Sequence, residues 1–457
     1  HPELALSRLF HRHRPFLLDG SGDGDGLGRY SCAGCDPLDA WVVPDVPALP
    51  HNAPSSGHPP TIHHLRARDA TQPIVAPAAD LFAALQATIE RWHPLIAVGL
   101  LDYELGRASE VLPSHAAPHD LGTAAVDFAA YDALYRYDAD RGLADILAVD
   151  PDAAARLRHK LAQPAPPPPP LQCGPLRSLT SPAQHARAIA TIVEHLRAGD
   201  CYQVNVCRWL RARLATPSVL SAYLALRRIA PAPLGSFIRF DPPSPSTLAS
   251  DAPALLSNSP ELLLAYDFPA GTLQTRPIKG TRRRASDPVA DDALRDALRM
   301  SSKDSAEHIM IVDLLRNDLG RIAQPGSVRV DGLMRCVSLP TVHHLISTVQ
   351  ATPAPRIGLA QLLHALLPGG SITGAPKLSA ITLIDQLEPH RRGPFYGALG
   401  WLSRDRGALS LCIRTAIAHR DQITLAVGGG IVLDSTPDEE WAETEAKAAA
   451  FARALVA

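Results

Sequence analysis

Residues 181–210 read SPAQHARAIATIVEHLRAGDCYQVNVCRWL, and the change of period inside this stretch decides the fold class. Ser181 is suited to cap a helix and Pro182 to occupy its first position; Ile189, Ile192, Val193 and Leu196 then recur along one face. Beyond Gly199 the segment CYQVNVCRWL reads as a strand. Working outward, ALLSNSPELLLAY (254–266) and LQTRPIKGT (273–281) look like strands broken at Ser-Pro and at Gly. SAEHIMIVDLLRNDLGRIA (305–323) keeps Ile309, Val312, Leu315 and Leu319 at helical steps. Strands return in ALSLCIRTAIAH (408–419) and QITLAVGGGIVL (422–433), and a helix is expected from about Asp438 to Val456. PLIAVGLLDYEL (94–105) and DFAAYDALYRYD (127–138) carry sheet-like runs in the N-terminal part. Helices and strands mix without a regular βαβ rhythm or internal repeat, which favours an α+β fold.

A chain of 457 residues is long enough for a large two-part fold. The polyproline run QPAPPPPPLQ cannot enter a helix interior or a sheet ladder. It divides the sequence into an N-terminal region, 1–163, a linker, 164–172, and a C-terminal region, 173–457. With 44 Lys plus Arg against 46 Asp plus Glu, nothing global points to nucleic acid or an anionic membrane. No apolar run reaches the ~18 residues of a membrane span, and a cytoplasmic location is expected. Seven scattered cysteines argue against a disulfide framework, and Cys32 and Cys35, the one C-x-x-C, read as loop cysteines.

Two helices carry carboxylates at i, i+3 spacing, Asp304 with Glu307 and Glu440 with Glu443, so each pair projects from one helix face. If the helices converge, the oxygen-only donor set suits magnesium; otherwise the pairs are solvated faces. Lys447 lies one turn beyond Glu443. GGSITGAPK (369–377) lacks the adjacent Gly-Lys-Ser/Thr of a phosphate-binding loop, though Ser371 and Thr373 offer hydroxyls. VGGGIV (427–432) permits close approach of a ligand to the backbone. TRPIKGTRRR (275–284) packs five cations into ten residues, and taken alone is a solvated or anion-binding face.

The order of SPE (259–261), PIKGT (277–281), EHIMIVDLLRNDLGRIA (307–323), VHHLIST (342–348), PGGSITGAPK (368–377), IRT (413–415) and GGGIV (428–432) resembles the chorismate-utilising enzymes. The resemblance runs from about Gly199 to Lys447, with a weaker extension in YELGR (103–107). It implies a large sandwich of mostly antiparallel sheets flanked by helices, with the site between the sheets. Water-adding members carry a lysine base where this chain has Gln203, and the lysine of PIKGT resembles the aminodeoxychorismate synthase branch. By that resemblance Lys279 is a nucleophile toward chorismate and Glu261 the acid that protonates the departing hydroxyl. Magnesium is held by Glu307 and Glu443, with Asp304 and Glu440 in support. Arg414, Lys447 and the backbone at Gly428 and Gly430 grip the enolpyruvyl carboxylate, and Gly280, Thr281, His344 and Thr373 line the substrate. Ammonia is expected from a separate glutamine amidotransferase subunit, since no cysteine lies in a G-x-C-x-G elbow. A nucleophilic lysine must be neutral, and Arg276, Arg282, Arg283 and Arg284 are expected to repel its proton. The competing readings are an anthranilate synthase component I and a non-catalytic protein that binds anions or nucleic acid.

Overall fold

The computed structural model describes the chain except residues 22–25, 46–60, 67–72, 76–80, 111, 113–114, 216–217, 243–250 and 457. Its strands form an 11-stranded and a 12-stranded sheet, with antiparallel pairing throughout. Both sheets take strands from both sides of the proline-rich segment: Phe16–Asp19 pairs with Leu234–Arg239 in the first, and Ile96–Leu101 with Ala398–Leu402 in the second. The N-terminal and C-terminal regions are therefore woven into the same two sheets.

Alternation along the strands explains the layering. Phe16 and Trp209 of the first sheet meet Phe128 and Leu409 of the second in the core between the sheets. Their neighbours Leu17 and Leu210 turn to the opposite face, where they join Leu6, Tyr223 and Phe451 from covering helices.

The helix at Pro182–Ala198 has the expected start, with Ser181 and Gln184 forming a reciprocal capping box, and it ends at Gly199 with φ 84°. Its buried side includes Ile189, Ile192, Val193 and Leu196. The helix at Ser302–Gly320 differs in phase. His308, Ile311, Val312, Leu315 and Leu319 are buried, whereas Ile309 is half exposed, because it lies about 100° around the axis from His308. Cys32 belongs to the strand Tyr30–Gly34 rather than to a loop, since it pairs with Leu18 and Arg136; all seven cysteines are free. No helix among the described residues is long and apolar enough to cross a membrane.

Three segments each split into two strands, one in each sheet: 127–138 and 408–419, which read as unbroken runs, and 254–266, where the break falls at the expected Ser-Pro. Residues 127–138 divide between Val126–Tyr131 and Ala133–Asp138, and residues 408–419 between Arg406–Leu411 and Thr415–His419. Residues 254–266 divide between Ala254–Ser259 and Leu262–Asp267. The last two crossovers carry Arg414 and Glu261, so the chain's passage between sheets brings both side chains to the space between them.

Candidate active site

Glu261 follows Pro260 at the turn out of the first sheet, is 5 % exposed, and accepts a hydrogen bond from Ser371 Oγ at 2.7 Å. Burial lifts its pKa to about 7 despite that bond and the nearby cations of Lys279, Arg414 and Lys447. A carboxyl poised at this value carries a proton much of the time at neutral pH, as a general acid requires.

Lys279 enters from the strand Ile278–Arg283, which pairs with Val342–Ala351. The ladder shifts register between Lys279 and Thr281, where Gly280 has φ 79°. That conformation favours glycine, and a Cβ there would come within 2.9 Å of Leu298 Cδ1. Burial, followed by repulsion from Lys447, lowers the Lys279 pKa, while Glu307, Glu261 and Glu443 pull the other way. The repulsion expected from the neighbouring arginines has a different source. Arg282 is paired with Asp304 at 2.7 Å and Arg284 with Asp291 at 2.8 Å, so their charges are spent on carboxylates. The cation that faces Lys279 comes from the C-terminal helix.

The glycines of Gln422–Ile431 make room for this meeting. A Cβ on Gly430 would fall 2.1 Å from Gln203 Nε2 and 3.4 Å from Lys279 Nζ; one on Gly428 would strike Val206 O at 2.4 Å and the Tyr396 hydroxyl at 2.7 Å. The Gln203 side chain is fully buried, with neither amide atom hydrogen-bonded to protein. Lys447 Nζ donates to Gly428 O at 2.6 Å and pairs with Glu443 at 2.6 Å.

His344 is buried, and burial followed by the Arg414 charge lowers its pKa to about 3, which keeps the ring neutral. Arg414 can only donate, so its contact at 3.4 Å makes His344 Nε2 the acceptor and puts the proton on Nδ1, which lies 2.9 Å from Thr281 Oγ1. Arg414 itself has φ 48°, a left-handed conformation held at the crossover. Thr373 is buried, but its hydroxyl donates to Gly369 O and Gly370 O, so it braces its own turn; Ser371 is the hydroxyl of that turn that reaches Glu261.

The two carboxylate-bearing helices, Ser302–Gly320 and Pro437–Ala454, bring Glu443 within electrostatic reach of both Glu307 and Glu440. Burial raises the pKa of Glu307, and burial with repulsion from Glu443 raises that of Glu440, whereas Lys447 lowers that of Glu443. Glu440 Oε1 accepts from Ser435 Oγ at 2.6 Å, and its buried Oε2 has no donor. Asp304 is spent on Arg282. Among the described residues no three His, Cys, Asp or Glu side chains are gathered closely enough to hold a metal ion as they stand. The converging carboxylates and the orphaned oxygen nonetheless fit a hard divalent cation that retains water and binds substrate oxygen.

Beyond the residues singled out from sequence, the site rests on Asn205, Glu388, Arg392, Tyr396 and Ser435. Glu388 and Arg392 stand four apart in EPHRR, a spacing that signals an ion pair but not its position beneath the site.

A family model described as chorismate binding enzyme matches residues 56–453. Aminodeoxychorismate synthase component 1 of Salmonella typhimurium is 39% identical over 350 residues, 76% of this chain and 74% of that protein. The Escherichia coli protein of the same name is 38% identical over 349 residues, with the same coverage. Anthranilate synthase component 1 1 of Haloarcula marismortui is 35% identical over 386 residues, covering 79% of this chain and 76% of its own. Among solved structures, anthranilate synthase component I from Streptococcus pneumoniae superposes with a TM-score of 0.76 at 25% identity, covering 93% of this chain and 92% of its own.

Proposed function

The chain belongs to the chorismate-binding enzymes, and from that premise we propose that it acts as an aminodeoxychorismate synthase component 1, joining ammonia to chorismate to form 4-amino-4-deoxychorismate and water. The product is a precursor of 4-aminobenzoate for folate. The observation that carries this reading is the meeting of a lysine whose charge is disfavoured with a carboxyl poised near neutrality at the crossover between the sheets.

The neutral Lys279 amine adds to ring carbon 2, the conjugated double bonds shift, and the carbon 4 hydroxyl leaves with the Glu261 proton as water. Ammonia then adds at carbon 4, the double bonds shift back, and the Lys279 nitrogen departs with its electron pair. The proton shed by Lys279 on forming its bond restores Glu261, and the one shed by ammonia returns to the departing Lys279 nitrogen, so the free amine is regenerated and the cycle closes. Two allylic displacements replace one difficult step. Arg414 and Lys447 hold the enolpyruvyl carboxylate, with the guanidinium fork suited to two oxygens. Glu307, Glu440 and Glu443 would hold magnesium, which when bound anchors the ring carboxylate and polarises the allylic system. Ammonia comes from a separate glutamine amidotransferase subunit, and the reaction belongs in the cytoplasm.

Product identification with chorismate, ammonium and magnesium tests the reading. Aminodeoxychorismate is expected; anthranilate with pyruvate would instead identify the other amination chemistry of this scaffold. With ammonia withheld, intact-mass spectrometry should find the chorismate skeleton, less water, attached within residues 277–281.

A further inference from the structure

Arg392 lies between the 370–373 turn and the strand Gln203–Arg213. It is 1 % exposed, and its guanidinium lies over the rings of Tyr103 and Tyr396, 4.8 and 4.6 Å from their centroids. Nε and Nη2 donate to the two oxygens of Glu388 at 2.9 and 2.7 Å. Nη1 donates to Ile372 O and Nη2 also to Asn205 O, both at 2.9 Å. Glu388 in turn accepts from the Cys207 backbone N–H at 2.9 Å. One planar fork thus ties the 370–373 turn to the strand Gln203–Arg213 and braces Tyr396, whose hydroxyl lies beneath Gly428. Buried main-chain carbonyls of this kind need a donor, and a guanidinium supplies several in fixed directions.

Ile372 is the neighbour of Ser371, and Ser371 Oγ is the hydroxyl that reaches Glu261. We infer that Arg392 is a positioning residue: by holding the Ile372 and Asn205 carbonyls while clamped to Glu388, it fixes the 370–373 turn so that Ser371 stays on Glu261. This rests on the reading of Glu261 as the acid. The charged groups facing Glu261 are Lys279 from its strand, Arg414 from the crossover and Lys447 from the C-terminal helix. Arg392 is not among these largest contributors, and its link to Glu261 is the chain of contacts through Ile372 and Ser371. The Ser371 bond favours the ionised carboxylate, and its loss raises the Glu261 pKa.

The test is the basic limb of kcat/KM against pH. Ser371→Ala should move it upward by about 0.5–1 pH unit, the worth of one hydrogen bond. Arg392→Lys keeps the charge but loses the fork, and should move the limb the same way. The double variant should move it no further than Ser371→Ala alone. A soluble Arg392→Lys protein with the wild-type limb overturns the inference, as does a further shift in the Ser371→Ala background. If Arg392→Lys does not fold, Glu388→Gln, which keeps the side-chain shape while weakening the clamp, should give a smaller shift of the same sign; an unmoved limb overturns the inference equally. A wild-type profile without a limb near pH 7, or one that survives in Glu261→Gln, removes the acid assignment and this inference with it. A limb that moves in Ser371→Ala but not in the Arg392 or Glu388 variants removes the inference alone.

Discussion

Lys279 and Arg282 lie three residues apart on one strand, and their charges meet opposite surroundings. Arg282 finds Asp304 at 2.7 Å and stays half exposed to water. Lys279 is also part-exposed as a residue, but its amine meets desolvation and the Lys447 charge, which act against its proton, and three carboxylates only partly restore it. The register shift at Gly280 separates the two environments. A basic run in sequence is thus not one electrostatic object: the arginines at 282 and 284 are neutralised by partners, and the lysine is disfavoured as a cation. The same contrast weakens the reading of residues 276–284 as a nucleic-acid surface.

Substitutions at these positions should differ most in effect at Lys279. Lys279→Ala should abolish the covalent adduct expected in mass spectrometry and lower turnover by about 100-fold or more, leaving slow direct attack by ammonia. Lys279→Arg should do no better, because a guanidinium stays protonated. Wild-type turnover in Lys279→Ala would return the lysine to the status of its neighbours.

Glu261→Gln should lower kcat/KM by about 100-fold and erase the limb near pH 7. The same change bears on stability. A carboxyl whose folded pKa is raised binds its proton more tightly in the native state, so its unfavourable contribution develops as pH rises from the ordinary glutamate value through about 7. Glu261→Gln should therefore be more stable than wild type at pH 8, by on the order of 3 kcal/mol, and no more stable at pH 4. Urea unfolding at the two pH values measures this, and an equal change at both would show that burial does not set the pKa.

Glu307→Gln and Glu443→Gln should each weaken magnesium binding by about 10- to 100-fold, read by calorimetric titration, with the circular dichroism spectrum unchanged. Unaltered magnesium affinity in both would separate these carboxylates from the metal. The smallest effect is expected at Arg282→Ala, where an ion pair at a half-exposed site is lost. Stability should change by less than about 1 kcal/mol and turnover by a few-fold at most. A loss as large as that of Lys279→Ala would mean that the two positions are not distinct after all.

Local rules written in the sequence determined much of this protein. Ser181, Pro182 and Gly199 bound a helix because capping and backbone freedom act within a few residues, and the i, i+3 carboxylates mark two helix faces for the same reason. The ordered motifs from SPE to GGGIV identified the family and the residues to examine. The Ser-Pro within residues 254–266 marked the break beside Glu261 in the sequence itself. Residues 408–419, by contrast, are apolar enough to run on as a single strand, and only the packing of two sheets over a shared core turns them at Arg414. Tertiary structure also decided which charges meet, giving Lys447 rather than an arginine to Lys279 and Asp304 to Arg282. Electrostatic interaction falls off over a few ångströms and depends on burial, and neither quantity can be read from separation along a chain.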